Sequence, residues 1–244
     1  MRPKAILLDM DDTLIAYEQG IDVDQCWRFA CSKHLPSVQE DARERLVKEI
    51  KKHARWYWSD AERHRLGRLD LDKARTEIVT AAFQKSDMLD ATAATAQRIA
   101  VDFGTERNHA VTLFPEAIET LQYLREELGI KLALLTNGNA NGQRRKIERF
   151  GLAPYFDCIL IEEEFGVGKP EPGIYEHAMK QLAVSAEETW MIGDNYEWEI
   201  LAPQKLGIRG IWVSHSREQD PDGEAPYRTI GTISELKALL ASVG

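Results

Sequence analysis

Long hydrophobic runs are missing from this 244-residue chain. No stretch reaches the roughly eighteen consecutive apolar residues that a bilayer-spanning helix needs, so no membrane partner is expected. The apolar start Ala5-Ile6-Leu7-Leu8 is broken at once by Asp9. It is too short for a secretory signal core, and a cytoplasmic location is the default expectation. Cysteine is sparse: Cys26, Cys31 and Cys158 share no CxxC spacing and leave an odd one over, as reduced, partly buried thiols do. Positive charge is in deficit, with 31 Lys and Arg against 40 Asp and Glu for a net charge of −9. A nucleic-acid backbone, which wants a basic surface, is therefore excluded as the main partner. The deficit is uneven, because residues 43–75 hold eleven Lys and Arg against six Asp and Glu. Internal repeats and low-complexity stretches are absent as well.

What is present is an ordinary globular composition, 43% hydrophobic and 29% charged. The length accommodates one large domain or a core with a smaller insertion. Five short apolar runs, at 6–8, 131–135, 158–161, 190–192 and 210–213, read as strands of a parallel sheet covered on both faces. The segments between the later runs read as helices. Pro115 sits where a first-turn proline belongs, and Ala117, Ile118, Leu121, Leu124 and Leu128 follow at helical spacing. Alternating strands and helices predict a Rossmann-like, doubly wound α/β sheet. From about 16 to 110 the pattern changes: no strand-like run occurs, and Leu46, Ile50, Ala54 and Tyr57 keep helical spacing. The alanine-rich stretch 91–100 is also helical in propensity. The expected organisation is a catalytic core at 1–15 and 110–244 with an inserted helical segment at 16–109. Residues 216–226 (SREQDPDGEAP) read as a surface loop.

The strand ends carry the chemistry. The first run closes in Asp9-Met10-Asp11-Asp12-Thr13-Leu14, at the edge of a parallel sheet where ligands bind. Three acids within four residues repel one another unless a cation or a proton intervenes. The second run ends Thr136-Asn137-Gly138, a hydroxyl and an amide followed by a glycine that permits close backbone approach. Beyond the third run comes Gly168-Lys169-Pro170, where a lysine between glycine and proline is suited to pointing an ammonium at a phosphate. The fourth run ends Gly193-Asp194-Asn195. Each signal alone reads equally as a turn, an acidic strand end or a loop lysine. Together they present a nucleophile, a second carboxylate, a hydroxyl and a lysine to one edge, which is the constellation phosphoryl transfer requires. Hard carboxylate oxygens suit Mg²⁺.

DMDDTL at 9–14, LLTNG at 134–138, GKPEP at 168–172 and IGDN at 192–195 resemble, in order, the four motifs of the haloacid dehalogenase superfamily. The helical insertion after the first motif is similar to that family's α-helical cap. The resemblance implies that Asp9 is the nucleophile and that Asp11 protonates the leaving oxygen and then activates water. It implies that Thr136, Asn137, Gly138 and Lys169 hold the substrate. Asp9, Asp194 and the backbone carbonyl of Asp11 would bind Mg²⁺. The family also contains dehalogenases, which do not keep the second acid of the first motif; Asp11 is present here. A phosphomutase would use the same residues, and a non-catalytic phosphate-binding module is the alternative that is not an enzyme.

The expected partner is a small phosphorylated metabolite. The stretches beginning at Trp58, Leu134 and Trp212 resemble bacterial pyrimidine 5′-nucleotidases, and the second also resembles N-acylneuraminate-9-phosphatase. A nucleoside monophosphate is thus one expected substrate and a sugar phosphate the alternative. Tyr17, Trp56, Tyr57 and Trp58 would form a face for a base or sugar ring, or simply pack helices. The fourth motif departs from the family pattern: no second aspartate follows Asp194. Glu199 stands five residues on, either near a metal's water shell or as an acid of a helix's first turn.

Overall fold

Four consecutive apolar residues with no room for a polar face make a central strand, and β1 (Ala5–Leu8) is wholly buried. A computed structural model describes residues 2–86, 88, 91–215 and 224–243. They form two units, one of residues 1–19 with 112–244 and one of residues 20–111.

In the first unit, β1 is followed by the two-residue β2 (Ile15–Ala16), which pairs antiparallel with β3 (Thr112–Leu113). Then come β4 (Lys131–Thr136), β5 (Cys158–Ile161), β6 (Thr189–Gly193), β7 (Arg209–Val213) and β8 (Arg228–Ile230). The large sheet runs β5-β4-β1-β6-β7-β8, and every neighbouring pair is parallel. Numbered by chain order within that sheet, this is the 3-2-1-4-5-6 arrangement of a doubly wound fold, whose strand order reverses between β1 and β6. The α-helices of this unit are α6 (Ala117–Gln122), α7 (Ala140–Arg149), α8 (Glu162–Phe165), α9 (Pro172–Leu182), α10 (Ala202–Gln204) and α11 (Leu236–Ser242), and a π-helical segment, Tyr196–Leu201, carries Glu199. Ile174, Tyr175, Ala178 and Leu182 line up along α9 and bury against Leu7, Ala133, Leu135 and Met191 of the sheet.

Three local expectations are corrected. Pro115 does not open a helix: Glu116 takes a left-handed φ of 62° as the cap and α6 starts at Ala117. First-turn prolines of this unit are instead Pro172 of α9 and Pro203 of α10. The helix after Gln122 widens into a π-helical turn, Tyr123–Glu127, and Leu128 caps it. β8 had no apolar run to announce it, because as an edge strand it buries only Ile230 of its three residues. Of the 216–226 loop, residues 216–223 lie outside the described residues.

Among the described residues the regular elements of the second unit are all helices: α1 (Val23–His34), α2 (Glu40–Trp58), α3 (Ala61–Gly67), α4 (Leu71–Lys85) and α5 (Ala93–Ala110). Asp22, Asp60, Asp70 and Thr92 cap four of these helices by accepting a backbone N–H three residues on. Their shared core contains Trp27, Leu46, Ile50, Ile78, Phe83, Ile99 and Phe103. The Trp27 and Phe103 rings stack at 3.5 Å. The three cysteines are free thiols; Cys26 and Cys31 are buried and Cys158 is partly so.

Candidate active site

Parallel pairing puts the carboxyl ends of β1, β4 and β6 side by side, so the register decides which residues meet. Leu8 pairs with Leu134 on one flank and Ile192 on the other. Asp9 follows directly, and its N–H still donates to Ile192 O at 3.0 Å. Thr136 ends β4, and Asp194 follows the last residue of β6.

Lys169, 160 residues from Asp9, completes the centre. It is 1% exposed, so it is no loop lysine in solvent. Its Nζ donates to Asp9 Oδ1 at 2.5 Å and to Glu199 Oε1 at 2.7 Å. A buried ammonium is tolerated because two carboxylates share it. Its backbone is fixed by Asn137, whose Nδ2 donates to Lys169 O at 2.7 Å and whose Oδ1 accepts from Lys169 N at 2.8 Å. Glu162, also buried, accepts the Gly138 N–H at 2.8 Å. The Asn137 side chain and the Gly138 N–H thus both have protein partners that shape the loop. Two glycines make the packing possible. A Cβ on Gly193 would lie 2.2 Å from Glu199 Cγ and 3.0 Å from Asp9 Cβ, and one on Gly168 would lie 2.6 Å from Glu162 Cδ.

The acids crowded at 9–12 do not share one partner within the protein. Each acid has its own partners. Asp9 has Lys169. Asp11 accepts from Lys146 Nζ at 2.6 and 2.8 Å and from Gln143 Nε2 at 2.9 Å, both on α7. Asp12, at φ 58°, accepts the backbone N–H groups of Tyr17, Glu18 and Gln19 at 2.8–3.1 Å. Its own carbonyl lies 2.6 Å from His215 Nε2. Gln143, Lys146, Glu162 and the lysine-binding role of Glu199 escaped the sequence reading. Gln143 and Lys146 are three apart in a polar stretch, Gln-Arg-Arg-Lys, that looks like solvated helix surface; only folding shows that its inner face meets Asp11.

One ammonium does not neutralise the acids around it. Burial pushes the Asp194 carboxyl up to about 9, with Asp9, Glu199 and Asp12 adding repulsion. Burial likewise raises Glu199 to about 8, against the pull of Lys169. Asp9 is raised too, mainly by burial and in part by Asp11. Burial opposes the Lys169 charge, but Asp9 and Glu199 outweigh it and hold its pKa above the usual lysine value. Glu199 Oε2 is buried without a hydrogen-bond partner. The centre therefore has more carboxyl groups than its own ammonium can keep ionised. Among the described residues no three His, Cys, Asp or Glu side chains converge as a ready ligand set. A hard dication that keeps most of its waters needs only one or two carboxylates, and the oxygen donors at Asp9 and Asp194 fit that demand.

Of the expected aromatic face, Tyr57 and Trp58 pack against the helical unit's own core. Trp56 is 53% exposed, with the Arg63 guanidinium 3.9 Å above its ring. Tyr17 lies beneath Lys146 Nζ at 4.2 Å.

Comparison with known proteins agrees with this geometry. A family profile described as haloacid dehalogenase-like hydrolase matches residues 3–207. A phosphoserine phosphatase of Thermus thermophilus is 37% identical over 58% of this chain and 56% of its own length. A glyceraldehyde 3-phosphate phosphatase of Methanocaldococcus jannaschii is 28% identical over 96% of this chain and 95% of its own. The pyrimidine 5′-nucleotidase YjjG of Escherichia coli is 34% identical over 53% of this chain and 57% of its own. The chain thus spans little more than half of the first and third of these relatives and nearly all of the second. Among solved structures, the magnesium-bound HAD-hydrolase YfnB of Bacillus subtilis shares the fold with a TM-score of 0.73 at 19% identity, covering 98% of this chain and 99% of that one. With a doubly wound sheet, the four motif residues gathered at its switch point and a profile match over most of its length, the chain belongs to the haloacid dehalogenase-like hydrolases, and its curated relatives are phosphatases.

Proposed function

We propose that this hydrolase cleaves small phosphate monoesters with Mg²⁺, through an aspartyl-phosphate on Asp9. The observation that carries the reading is the buried Asp9 carboxylate paired with a fully buried Lys169 at the sheet's switch point, one strand end away from the Thr136 hydroxyl. A lysine held there supplies charge to the phosphoryl oxygens without loss of conformational freedom on binding.

In the first step an Asp9 carboxylate oxygen attacks phosphorus in line with the departing ester oxygen. Asp11, as a carboxylic acid, gives its proton to that oxygen as the P–O bond breaks, and the alcohol leaves. In the second step Asp11, now a carboxylate, takes a proton from the water that attacks the aspartyl-phosphate. Inorganic phosphate departs and the Asp9 carboxylate is restored. Thr136 and Lys169 hold the phosphoryl oxygens throughout. Asp9, Asp194 and the Asp11 backbone carbonyl would hold Mg²⁺. When bound, the ion offsets negative charge on the transferring group.

The names of the relatives span a phosphorylated amino acid, a triose phosphate and a pyrimidine nucleotide, which supports the class of substrate. Within that class a nucleoside monophosphate is the finer proposal, resting on the motif resemblance and on the pyrimidine 5′-nucleotidase among the relatives. A panel of phosphate monoesters with Mg²⁺ tests both levels. Turnover of several monoesters, lost in Asp9→Asn, is expected. No turnover of any, or an Asp9→Asn variant keeping a tenth of the activity, would refute the mechanism. A sugar phosphate turned over about a hundredfold faster than any nucleotide would refute only the substrate.

A further inference from the structure

Gln143 is 4% exposed, and its side-chain nitrogen lies at the meeting point of the first two motif loops. Nε2 is 2.9 Å from Asp11 Oδ2, 2.7 Å from Asn137 O and 2.6 Å from Thr136 Oγ1. A backbone carbonyl can only accept hydrogen bonds, so the atom facing Asn137 O must be the NH₂ end of the amide. An amide nitrogen donates and does not accept. The hydrogen of the Thr136 hydroxyl therefore cannot turn towards Gln143, and among the described residues no other group accepts it.

From this geometry we infer that Gln143 is a positioning residue that sets the direction of the Thr136 hydroxyl, keeping its hydrogen aimed at the phosphoryl oxygen. The inference rests on the phosphatase reading above. Asp11 does not depend on Gln143 to the same degree, because Lys146 holds both of its oxygens independently. Removing the amide should therefore act chiefly through Thr136. Without it, the hydroxyl rotates freely and donates to the substrate only part of the time. A carboxylate in its place does worse, since it accepts the Thr136 hydrogen and draws it away from the site.

The test is a double-mutant cycle on the Mg²⁺-loaded enzyme, read both as kcat/KM for p-nitrophenyl phosphate and as Kd for inorganic phosphate by calorimetry. Losing one such hydrogen-bond donor costs on the order of a hundredfold in rate. Gln143→Met and Thr136→Val should each lower kcat/KM by about that factor. The double variant should fall no more than about threefold below the worse single one, because both substitutions remove the same interaction. Gln143→Glu, of nearly the same shape, should be at least as impaired as Gln143→Met. Each variant should weaken phosphate binding in the same order, and thermal unfolding should show each one folded at the assay temperature. Multiplying losses in the double variant, or a Gln143→Glu enzyme as active as wild type, would overturn the role given to Gln143 and leave the phosphatase reading intact. A wild-type enzyme that neither hydrolyses p-nitrophenyl phosphate nor binds phosphate would overturn both.

Discussion

Chelating metal from the protein and raising the pH should destabilise it, and Asp194 gives the size of the effect. Its carboxyl titrates at about 9 in the folded chain against an ordinary value of 3.8, through burial first and then the repulsion of Asp9, Glu199 and Asp12. Between those two values the unfolded chain has released a proton that the folded chain still holds. Stability then falls with rising pH, by about 1.4 kcal/mol per unit for one such group. From pH 6 to pH 8 the loss is on the order of 3 kcal/mol, or roughly 5–10 °C in unfolding temperature for a chain of this size. Glu199, raised to about 8, acts in the same direction. Mg²⁺, on the function proposed above, should reverse the trend, because it would bind the ionised carboxylates and compete with the proton. At a hundred times its Kd it restores about 2.7 kcal/mol, and that gain should shrink at pH 6, where the proton is held. The assay is thermal unfolding followed by circular dichroism, in chelator and in Mg²⁺, at pH 6 and pH 8, for wild type and Asp194→Asn. The variant should lose the Asp194 share of the pH slope, leaving that of Glu199, and most of the Mg²⁺ shift. A chelated wild-type protein equally stable at both pH values would refute the reasoning, as would a Mg²⁺ shift as large at pH 6 as at pH 8.

Two substitutions probe the packing of the same centre. Gly193→Ala would drive a methyl into Glu199 Cγ at 2.2 Å, so a loss of about 1–3 kcal/mol in denaturant unfolding is expected, together with most of the activity; unchanged stability would mean that Glu199 moves aside freely. Glu199→Gln should act through Lys169, which Glu199 shares with Asp9. We expect kcat to fall about tenfold, by loss of charged positioning of the lysine, with the Mg²⁺ activation midpoint moving less than about threefold. A midpoint moved tenfold or more would put Glu199 in the water shell of the metal instead.

Much of this protein was legible in its sequence for local reasons. Ala5–Leu8, residues 132–136 and Thr189–Gly193 are buried on both faces, so each had to be a short, largely apolar run, and such runs stand out in any chain. The polar residues that end them, Asp9, Thr136 and Asp194, are conspicuous because each directly follows or closes an apolar run. Edge strand β8, with one buried residue, gave no such signal. The left-handed cap at Glu116, which moved the helix start past Pro115, was equally silent. The partners of the motif residues belonged to the tertiary structure alone. Lys146 reaches Asp11 across 135 residues, and Gln143 reaches it across 132. Lys169 and Glu199 are 30 residues apart and read as a loop lysine and a first-turn acid until the fold buries them against each other. Side-chain chemistry names the groups able to carry a reaction. Which acid is held by an ammonium, which by amides, and which is left needing a cation is decided by the burial and register that only the assembled sheet imposes.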